Sequence, residues 1–226
     1  MLGPYKYMLQ ICSSGSCYID KFIIYGERHS GTNFVEQCFQ QRFGLNKTEF
    51  FGNKHFFGWT KPETISYKDK HSLFIGIVRN PYDWIMAMIN LPHHIHISRL
   101  SNLESFLLNE WYSTDIHNNE ILTDRSFITK KRYANIFDMR TNKYKYLSEI
   151  MPVIAPNYVL LSYDTFLKNY NNYLNIICNR FHLKKIGSSP DPIKKYPYAV
   201  PTHIKNIIDN NVDWSLEESL GFYKMP

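Results

Sequence analysis

Residues 25–34 read Tyr-Gly-Glu-Arg-His-Ser-Gly-Thr-Asn-Phe, a turn with two glycines between a strand pattern and a helix pattern. Before the turn, residues 21–25 are a short run of aromatic and β-branched side chains, typical of a buried strand. After it, apolar residues recur at helical spacing from Phe34 to Phe39. A strand, a turn and a helix start gather backbone N–H groups and a helix dipole at one point, which suits an anion.

The two glycines of this turn have the spacing of a phosphate-binding loop. Four residues separate Gly26 from Gly31, but Thr32-Asn33 stands where such a loop continues with Lys-Ser or Lys-Thr. The missing lysine argues against ATP or GTP hydrolysis, because that side chain contacts the β- and γ-phosphates. A strand-to-helix turn that merely requires glycines is the simpler alternative for the loop by itself.

A second stretch supports the anion site. Residues 71–84 read His-Ser-Leu-Phe-Ile-Gly-Ile-Val-Arg-Asn-Pro-Tyr-Asp-Trp. The apolar run predicts a strand that ends at Arg79, and Pro81 then takes the chain into a helix that includes Trp84. Ligands of open α/β sheets bind outside the carboxyl ends of the strands, so Arg79 is expected near the loop, where a guanidinium grips phosphate well.

These two motifs resemble those of the sulfotransferase family that uses 3′-phosphoadenosine-5′-phosphosulfate (PAPS). Residues 28–33, Arg-His-Ser-Gly-Thr-Asn, are similar to its 5′-phosphosulfate loop, commonly Pro-Lys-Ser-Gly-Thr-Thr, and residues 78–83 to its 3′-phosphate motif, Arg-Asn-Pro-x-Asp. The resemblance implies a three-layer α/β/α fold with a central, mainly parallel sheet, related to the P-loop nucleotide kinases. It also implies that PAPS contacts Arg28, His29, Ser30, Gly31, Thr32, Asn33 and Arg79.

Three positions depart from the family pattern. His29 replaces the usual loop lysine and follows Arg28, and either side chain could supply positive charge, although a histidine is only partly charged near neutral pH. Ala87 stands where the family has a serine that also binds the 3′-phosphate. The late Arg-Lys-Gly segment of many members is absent, and its candidate replacements are Lys194 and Lys195.

The candidate catalytic residues lie in residues 50–59, Phe-Phe-Gly-Asn-Lys-His-Phe-Phe-Gly-Trp. Sulfuryl transfer needs an in-line approach, a base for the acceptor's proton and positive charge on the departing oxygen. His55 resembles, in order and context, the histidine base of cytosolic sulfotransferases, and Lys54 would supply the charge. The alternative is a surface turn with incidental charges. If the segment were a strand, only one of the two side chains would enter the site.

Two further groups of residues invite a ligand interpretation. Residues 135–143 are similar to an Asn-Ile-Phe-x-x-Arg-x-x-Lys stretch of the sulfotransferase branch that has this loop. Its Arg140 and Lys143 share a helical face. They either contact an anionic acceptor or a cofactor phosphate, or form an exposed basic face. Three histidines lie in residues 93–96; they suit a metal in principle, but no acidic or cysteine partner is suitably spaced, which favours an acceptor pocket or a surface loop.

Composition is that of a globular protein, with 44% hydrophobic and 20% charged residues. The 226 residues are expected to form one sulfotransferase-like domain, with a lead-in or short hairpin over residues 1–20 and a mobile substrate loop over residues 113–130. The sequence has no evident signal peptide, membrane span or disulfide framework, so we expect a cytoplasmic protein. Its net charge of +6 favours anionic ligands, without the clustered basic residues of nucleic-acid-binding proteins.

The resemblance therefore implies a PAPS-dependent sulfotransferase that acts on a hydroxyl or amine of a small-molecule or glycan acceptor and requires no metal. Two alternatives remain at this point. One is a kinase-like phosphotransferase on the same fold. The other is a degenerate relative that binds a nucleotide or an anionic glycan without catalysis, as the substitutions at His29 and Ala87 would permit.

Overall fold

The computed structural model describes residues 8–13, 18–68, 70–192 and 198–226. The chain divides into two compact units. The first comprises Met1–Arg79 and Tyr146–Lys195, and the second comprises Asn80–Lys145 and Tyr196–Pro226. Assignment of the whole chain to one sulfotransferase-like domain stays a prediction. Lys194 and Lys195 lie outside the described residues.

Strands and helices alternate along much of the chain. The strands are β1 (Met8–Ser13), β2 (Lys21–Gly26), β3 (Asn46–Lys47), β4 (Ser72–Val78) and β5 (Asn157–Ser162). The helices are α1 (Thr32–Phe43), α2 (Pro62–Lys68), α3 (Pro81–Asn90), α4 (Leu103–Leu108), α5 (Ile136–Lys145), α6 (Met151–Ile154), α7 (Tyr163–Lys168), α8 (Tyr170–Phe181), α9 (Thr202–Asn211) and α10 (Trp214–Ser219). The predicted strands ending at Tyr25 and Arg79, and the helices that follow them, are confirmed.

The first unit is built on a five-stranded sheet in the order β1-β5-β4-β2-β3. The pairs β2–β3, β2–β4 and β4–β5 are parallel, and β1 pairs antiparallel with β5. Because β2, β4 and β5 are parallel, their carboxyl ends meet at one edge of the sheet. The loop after β2 and Arg79 after β4 lie at that edge.

Helices cover both faces of this sheet. On one face, Val35 and Phe39 of α1 and Leu174 of α8 pack in one core cluster with alternate residues of the strands. On the other face, the ring centres of Tyr25 and Phe57 lie 5.2 Å apart, and α6 contacts both β1 and β5. The layers confirm the predicted α/β/α fold with a mainly parallel sheet.

The amino-terminal segment differs from the expected lead-in. Its β1 strand pairs with β5, from Met8 opposite Leu161 to Ser13 opposite Asn157. The apolar pattern of the segment is too weak to distinguish a lead-in or hairpin from an added strand, because the pairing partner lies far along the chain. Residues 14–17 are outside the described part of the chain.

The second unit has its own core. Trp84 and Ile85 of α3 pack there with Phe106 of α4, Ile136 of α5 and Ile208 of α9. The side chain of Asn80 caps α3 by accepting hydrogen bonds from the backbone N–H groups of the first turn.

Helix α4 is short, and Asn102 caps its start. The side-chain oxygen of Asn102 accepts from the Ser105 N–H at 2.9 Å. The nearby Ser101 does not cap this helix, since its hydroxyl donates to the Ser98 carbonyl oxygen at 2.8 Å.

Residues 113–130 have little regular structure, apart from a 3₁₀ turn at Leu122–Asp124. Asp124 is buried and accepts hydrogen bonds from Ser113 and Lys143. Glu120 pairs with Arg132 at 2.6 Å. These contacts attach the segment to the rest of the second unit, and its movement on substrate binding stays a prediction.

Candidate functional site

The glycine-containing loop joins β2 directly to α1. Its residues 27–31 form a tight turn in which the Ser30 N–H and hydroxyl both donate to the Glu27 carbonyl oxygen, at 3.0 and 2.6 Å. His29 and Gly31 have left-handed backbone conformations, with φ of 61° and 91°. Such a conformation is uncommon for a residue with a side chain, so the loop maintains a specific shape.

Helix α1 starts without a side-chain cap. Its N-cap residue is Gly31, and among the described residues no side chain makes a cap hydrogen bond there, although Ser30, Thr32 and Asn33 are of types that often do so. The first-turn N–H groups of α1 therefore lack the side-chain acceptor that usually satisfies such groups. Uncapped N–H groups and the positive end of the helix dipole are features that favour an anionic ligand.

Both glycines are required by their surroundings. A β-carbon on Gly26 would lie 2.6 Å from the Ser30 hydroxyl oxygen and 3.0 Å from the Ile77 carbonyl oxygen. A β-carbon on Gly31 would lie 2.1 Å from the ring of Tyr163, the first residue after β5. The loop is therefore held between the ends of β4 and β5.

Gly31→Ala is expected to destabilise the protein more than Gly221→Ala. Gly221 is the matched control, because its φ of 81° is also left-handed and no atom lies within 4 Å of its β-carbon position. The control should cost only the backbone strain of about 1–2 kcal/mol. Gly31→Ala adds the collision with Tyr163, a further ~1–3 kcal/mol. Urea unfolding of both variants measures the difference, and equal losses would show that Tyr163 does not constrain the loop.

Arg79 lies against the loop, as the strand-end argument predicted. Its Nη1 donates to the His29 carbonyl oxygen at 2.7 Å, and its guanidinium lies 5.8 Å from the centre of the Tyr163 ring. The residue is 7% exposed. Three neighbouring strands thus contribute to one site: the loop follows β2, Arg79 follows β4 and Tyr163 follows β5.

Arg28 does not supply free positive charge to the loop. Its guanidinium donates from Nε to a Glu27 carboxylate oxygen at 3.0 Å, and the two side chains are 0% exposed. The guanidinium also lies 5.7 Å from the Phe56 ring. The expectation that Arg28 replaces the missing loop lysine is therefore corrected, because a neighbouring carboxylate already balances its charge.

Lys54 and His55 both contact the loop. The Lys54 ammonium donates to the Asn33 side-chain oxygen at 2.6 Å, and His55 Nδ1 lies 2.7 Å from the Gly26 carbonyl oxygen. In addition, the Gly26 N–H donates to the Lys54 carbonyl oxygen at 3.0 Å. The alternation expected of a strand does not apply, because residues 54–56 form a bend. The sequence therefore placed both candidate catalytic residues at the loop.

The environment of His55 keeps its imidazole neutral. Burial lowers its pKa to about 3, although the negative charge of Glu27 opposes this effect. The pKa of His55 in the unliganded chain is thus well below the ordinary value of a histidine. An Nδ1 proton donated to the Gly26 carbonyl leaves the lone pair on Nε2, the atom with which a neutral histidine accepts a proton. Burial also lowers the pKa of Lys54.

Arg140 and Lys143 each have a buried acidic partner. Both are 1% exposed and belong to the second unit, so the exposed basic face considered from the sequence is wrong. Arg140 donates to Glu217 at 2.6 and 2.8 Å, and the Lys143 ammonium pairs with Asp124. Each cation therefore faces a buried carboxylate, and the anionic contact expected of these two residues stays a prediction.

The histidines of residues 93–96 give no support to a metal site. His93 and His96 are exposed, and the rings of His93 and His94 lie 4.0 Å apart. Across the residues that the structure describes, no group of three or more histidine, cysteine, aspartate or glutamate side chains is arranged to hold a metal ion. Within the same residues, no helix has both the length and the apolar character needed to cross a bilayer.

Sequence reasoning missed two members of the site. Glu27 was recognised only as a residue of the loop. Its burial beside Arg28 leaves no trace in the spacing of polar and apolar residues. Tyr163 belongs to no recognisable motif, and its position after a strand parallel to β2 and β4 was the available clue.

The protein therefore has an α/β fold with a mainly parallel sheet. A constrained loop, a helix start without a side-chain cap and several basic side chains lie at the carboxyl edge of that sheet. Comparisons of the chain with known protein families, with curated proteins and with solved structures found no match.

Proposed function

We propose that the protein is a sulfotransferase that moves a sulfuryl group from PAPS to a hydroxyl or amine acceptor. The observation that carries the proposal is the meeting of four groups at the loop: the uncapped start of α1, Arg79, Lys54 and His55. An anion site, a cation and a neutral imidazole are the components that sulfuryl transfer requires. The loop also lacks the lysine and following hydroxyl that triphosphate hydrolysis uses.

The residues present suit a doubly phosphorylated nucleotide. Residues 29–33 would bind the 5′-phosphosulfate through backbone N–H groups at the start of α1. Arg79 would bind the 3′-phosphate, since its guanidinium is already oriented at the loop by the His29 carbonyl. PAPS supplies the sulfuryl group and leaves as adenosine 3′,5′-bisphosphate.

His55 acts as the base. The sulfur–oxygen bond to the nucleotide breaks while a bond from sulfur to the acceptor oxygen or nitrogen forms, and the acceptor's proton passes to His55 Nε2. Lys54 stabilises the negative charge that develops on the departing phosphate oxygen. An anion bound at the loop favours the protonated imidazole, so it raises the pKa of His55 from its low value in the unliganded chain.

Exposed aromatic side chains in the segment that carries His55 favour an acceptor with a ring. Phe50 is 70% exposed and Trp59 is 36% exposed, and both belong to the segment that carries Lys54 and His55. Exposed aromatic faces stack well on phenols and on the apolar faces of sugars. This observation supports a small-molecule or glycan acceptor.

Calorimetric titration with adenosine 3′,5′-bisphosphate and with ADP tests the nucleotide assignment. We expect the bisphosphate to bind more tightly than ADP, and Arg79→Ala to weaken its binding about 10- to 100-fold, the effect of losing hydrogen bonds to a charged group. ADP binding should change less, because ADP has no 3′-phosphate. Arg180→Ala is the control, since it removes an exposed positive charge of the same unit outside the site.

Three results would contradict the assignment: ADP binding as tightly as the bisphosphate, neither nucleotide binding, or equal losses in the Arg79 and Arg180 variants. Preferred ADP binding would support the kinase-like phosphotransferase instead. Thermal melting of each variant without ligand confirms that the variants are folded.

A further inference from the structure

We propose that Asn33 positions Lys54 at the loop, so that Lys54 takes the place of the lysine that the loop itself lacks. The inference rests on the proposed function, because it concerns how the same site neutralises its anionic ligand. It makes Asn33 a positioning residue, which acts through Lys54.

The hydrogen bond between the two side chains is the principal observation. Lys54 Nζ lies 2.6 Å from the Asn33 oxygen and 3.9 Å from a Glu36 carboxylate oxygen. Glu36 is shared, since Lys47 lies 3.4 Å from the same oxygen and 3.0 Å from Glu49. Asn33 is therefore the nearer partner of Lys54, and it belongs to the first turn of α1.

Two effects disfavour this ammonium, and the Glu36 carboxylate at 3.9 Å opposes them only in part. The amino-terminal end of a helix carries partial positive charge, so a lysine is normally disfavoured there. Desolvation adds to the cost, since the Lys54 side chain is only 20% exposed and burial lowers its pKa. A ligand with negative charge at the loop would offset both effects.

The inference accounts for two sequence departures together. The loop has His29 in place of lysine, and Asn33 in place of the hydroxyl residue that usually follows the threonine. An asparagine oxygen accepts a hydrogen bond from an ammonium group, and Asn33 is exposed, so the core does not require it. In this chain the cation belongs to a segment outside the loop, and a residue of the loop motif accepts its hydrogen bond.

A double-mutant cycle tests the coupling. Asn33→Ala, Lys54→Met and the double variant are titrated with adenosine 3′,5′-bisphosphate and, separately, with inorganic pyrophosphate. We expect Lys54→Met to weaken binding about 10-fold or more, and Asn33→Ala about 5-fold, as for loss of a charge-assisted contact and of its support. The double variant should bind no more weakly than Lys54→Met.

Lys47→Met is the matched control, because Lys47 shares Glu36 but makes its other ion pair with Glu49. It should leave the affinity of both probes nearly unchanged. Asn33→Ser is the second variant at position 33, used if melting temperatures show that alanine perturbs the fold. The serine side chain is too short to hold Lys54 in place. Asn33→Ser should therefore weaken binding only when Lys54 is present, as expected for Asn33→Ala.

The outcomes separate this inference from the proposed function. Additive losses in the cycle, or an equal loss in Lys47→Met, would overturn the role of Asn33 while bisphosphate binding by the unmodified protein still supported the sulfotransferase. Binding of pyrophosphate without binding of the bisphosphate would overturn the nucleotide assignment, and the pyrophosphate cycle would then decide the Asn33–Lys54 coupling. Binding of neither probe would overturn both.

Discussion

His55→Asn is expected to lower turnover by about 10²- to 10⁴-fold, the contribution of a positioned base. Affinity for adenosine 3′,5′-bisphosphate should change by less than about twofold, because the substitution removes a group used in the transition state. Asparagine is the informative replacement, since its side-chain N–H group can still donate to the Gly26 carbonyl oxygen as His55 Nδ1 does. The lone pair of Nε2 is lost.

Transfer of radiolabelled sulfate from PAPS to a panel of phenols, sugars and amines gives the turnover, and calorimetry gives the affinity. His71→Asn is the control, because His71 Nδ1 also lies 2.7 Å from a carbonyl oxygen, that of Tyr18, on an exposed part of the same unit. Full activity in His55→Asn, or parallel losses of turnover and nucleotide affinity, would remove His55 from the role of base.

Arg140→Met is expected to destabilise the protein by ~3–5 kcal/mol, because it leaves the Glu217 carboxylate buried without its cation. The two side chains are 1% and 2% exposed and are joined by hydrogen bonds of 2.6 and 2.8 Å. Urea unfolding of the variant and of the unmodified chain measures the loss.

Two controls identify burial as the cause. Arg140→Met combined with Glu217→Leu should recover most of the stability, since an apolar pair of similar volume needs no desolvation of charge. Lys145→Met should cost less than about 1 kcal/mol, because Lys145 and Asp213 form a solvent-accessible pair 3.4 Å apart, with side chains 48% and 34% exposed. A cost for Arg140→Met as small as that of Lys145→Met would contradict the buried-pair interpretation.

Local sequence pattern was sufficient for the elements that surround the loop. The run before Gly26 and the run before Arg79 each correspond to a buried strand, and Gly44 ends α1 with a φ of 63°. Turn residues and apolar periodicity are local signals, because they depend only on residues close together in the chain. A single sequence is therefore enough to detect them. Strand β1 was missed because its identity depends on pairing with β5, which no neighbouring residue reveals.

The same distinction applies to the candidate site. Motif order placed the loop, Arg79, Lys54 and His55 together, because strand ends and bends have sequence signals. The sequence did not reveal which carboxylate pairs with each cation. Arg140 finds its carboxylate 77 positions away, and Lys143 finds its own 19 positions away. Arg28 even pairs with the residue before it, but only burial makes that pair persistent.

The place of β5 in the sheet sets an order of assembly during protein synthesis. Strands β2, β3 and β4 are complete at residue 78 and pair among themselves, whereas β1 pairs with β5, which ends at residue 162. The ribosome must add 84 residues in between (162 − 78), which takes roughly 4–17 s at ordinary elongation rates. During that interval the outer edge of β4 has no neighbour from its own sheet. The nascent chain therefore depends on β5 arriving between two segments made much earlier, and any factor that shields that edge would act in this window.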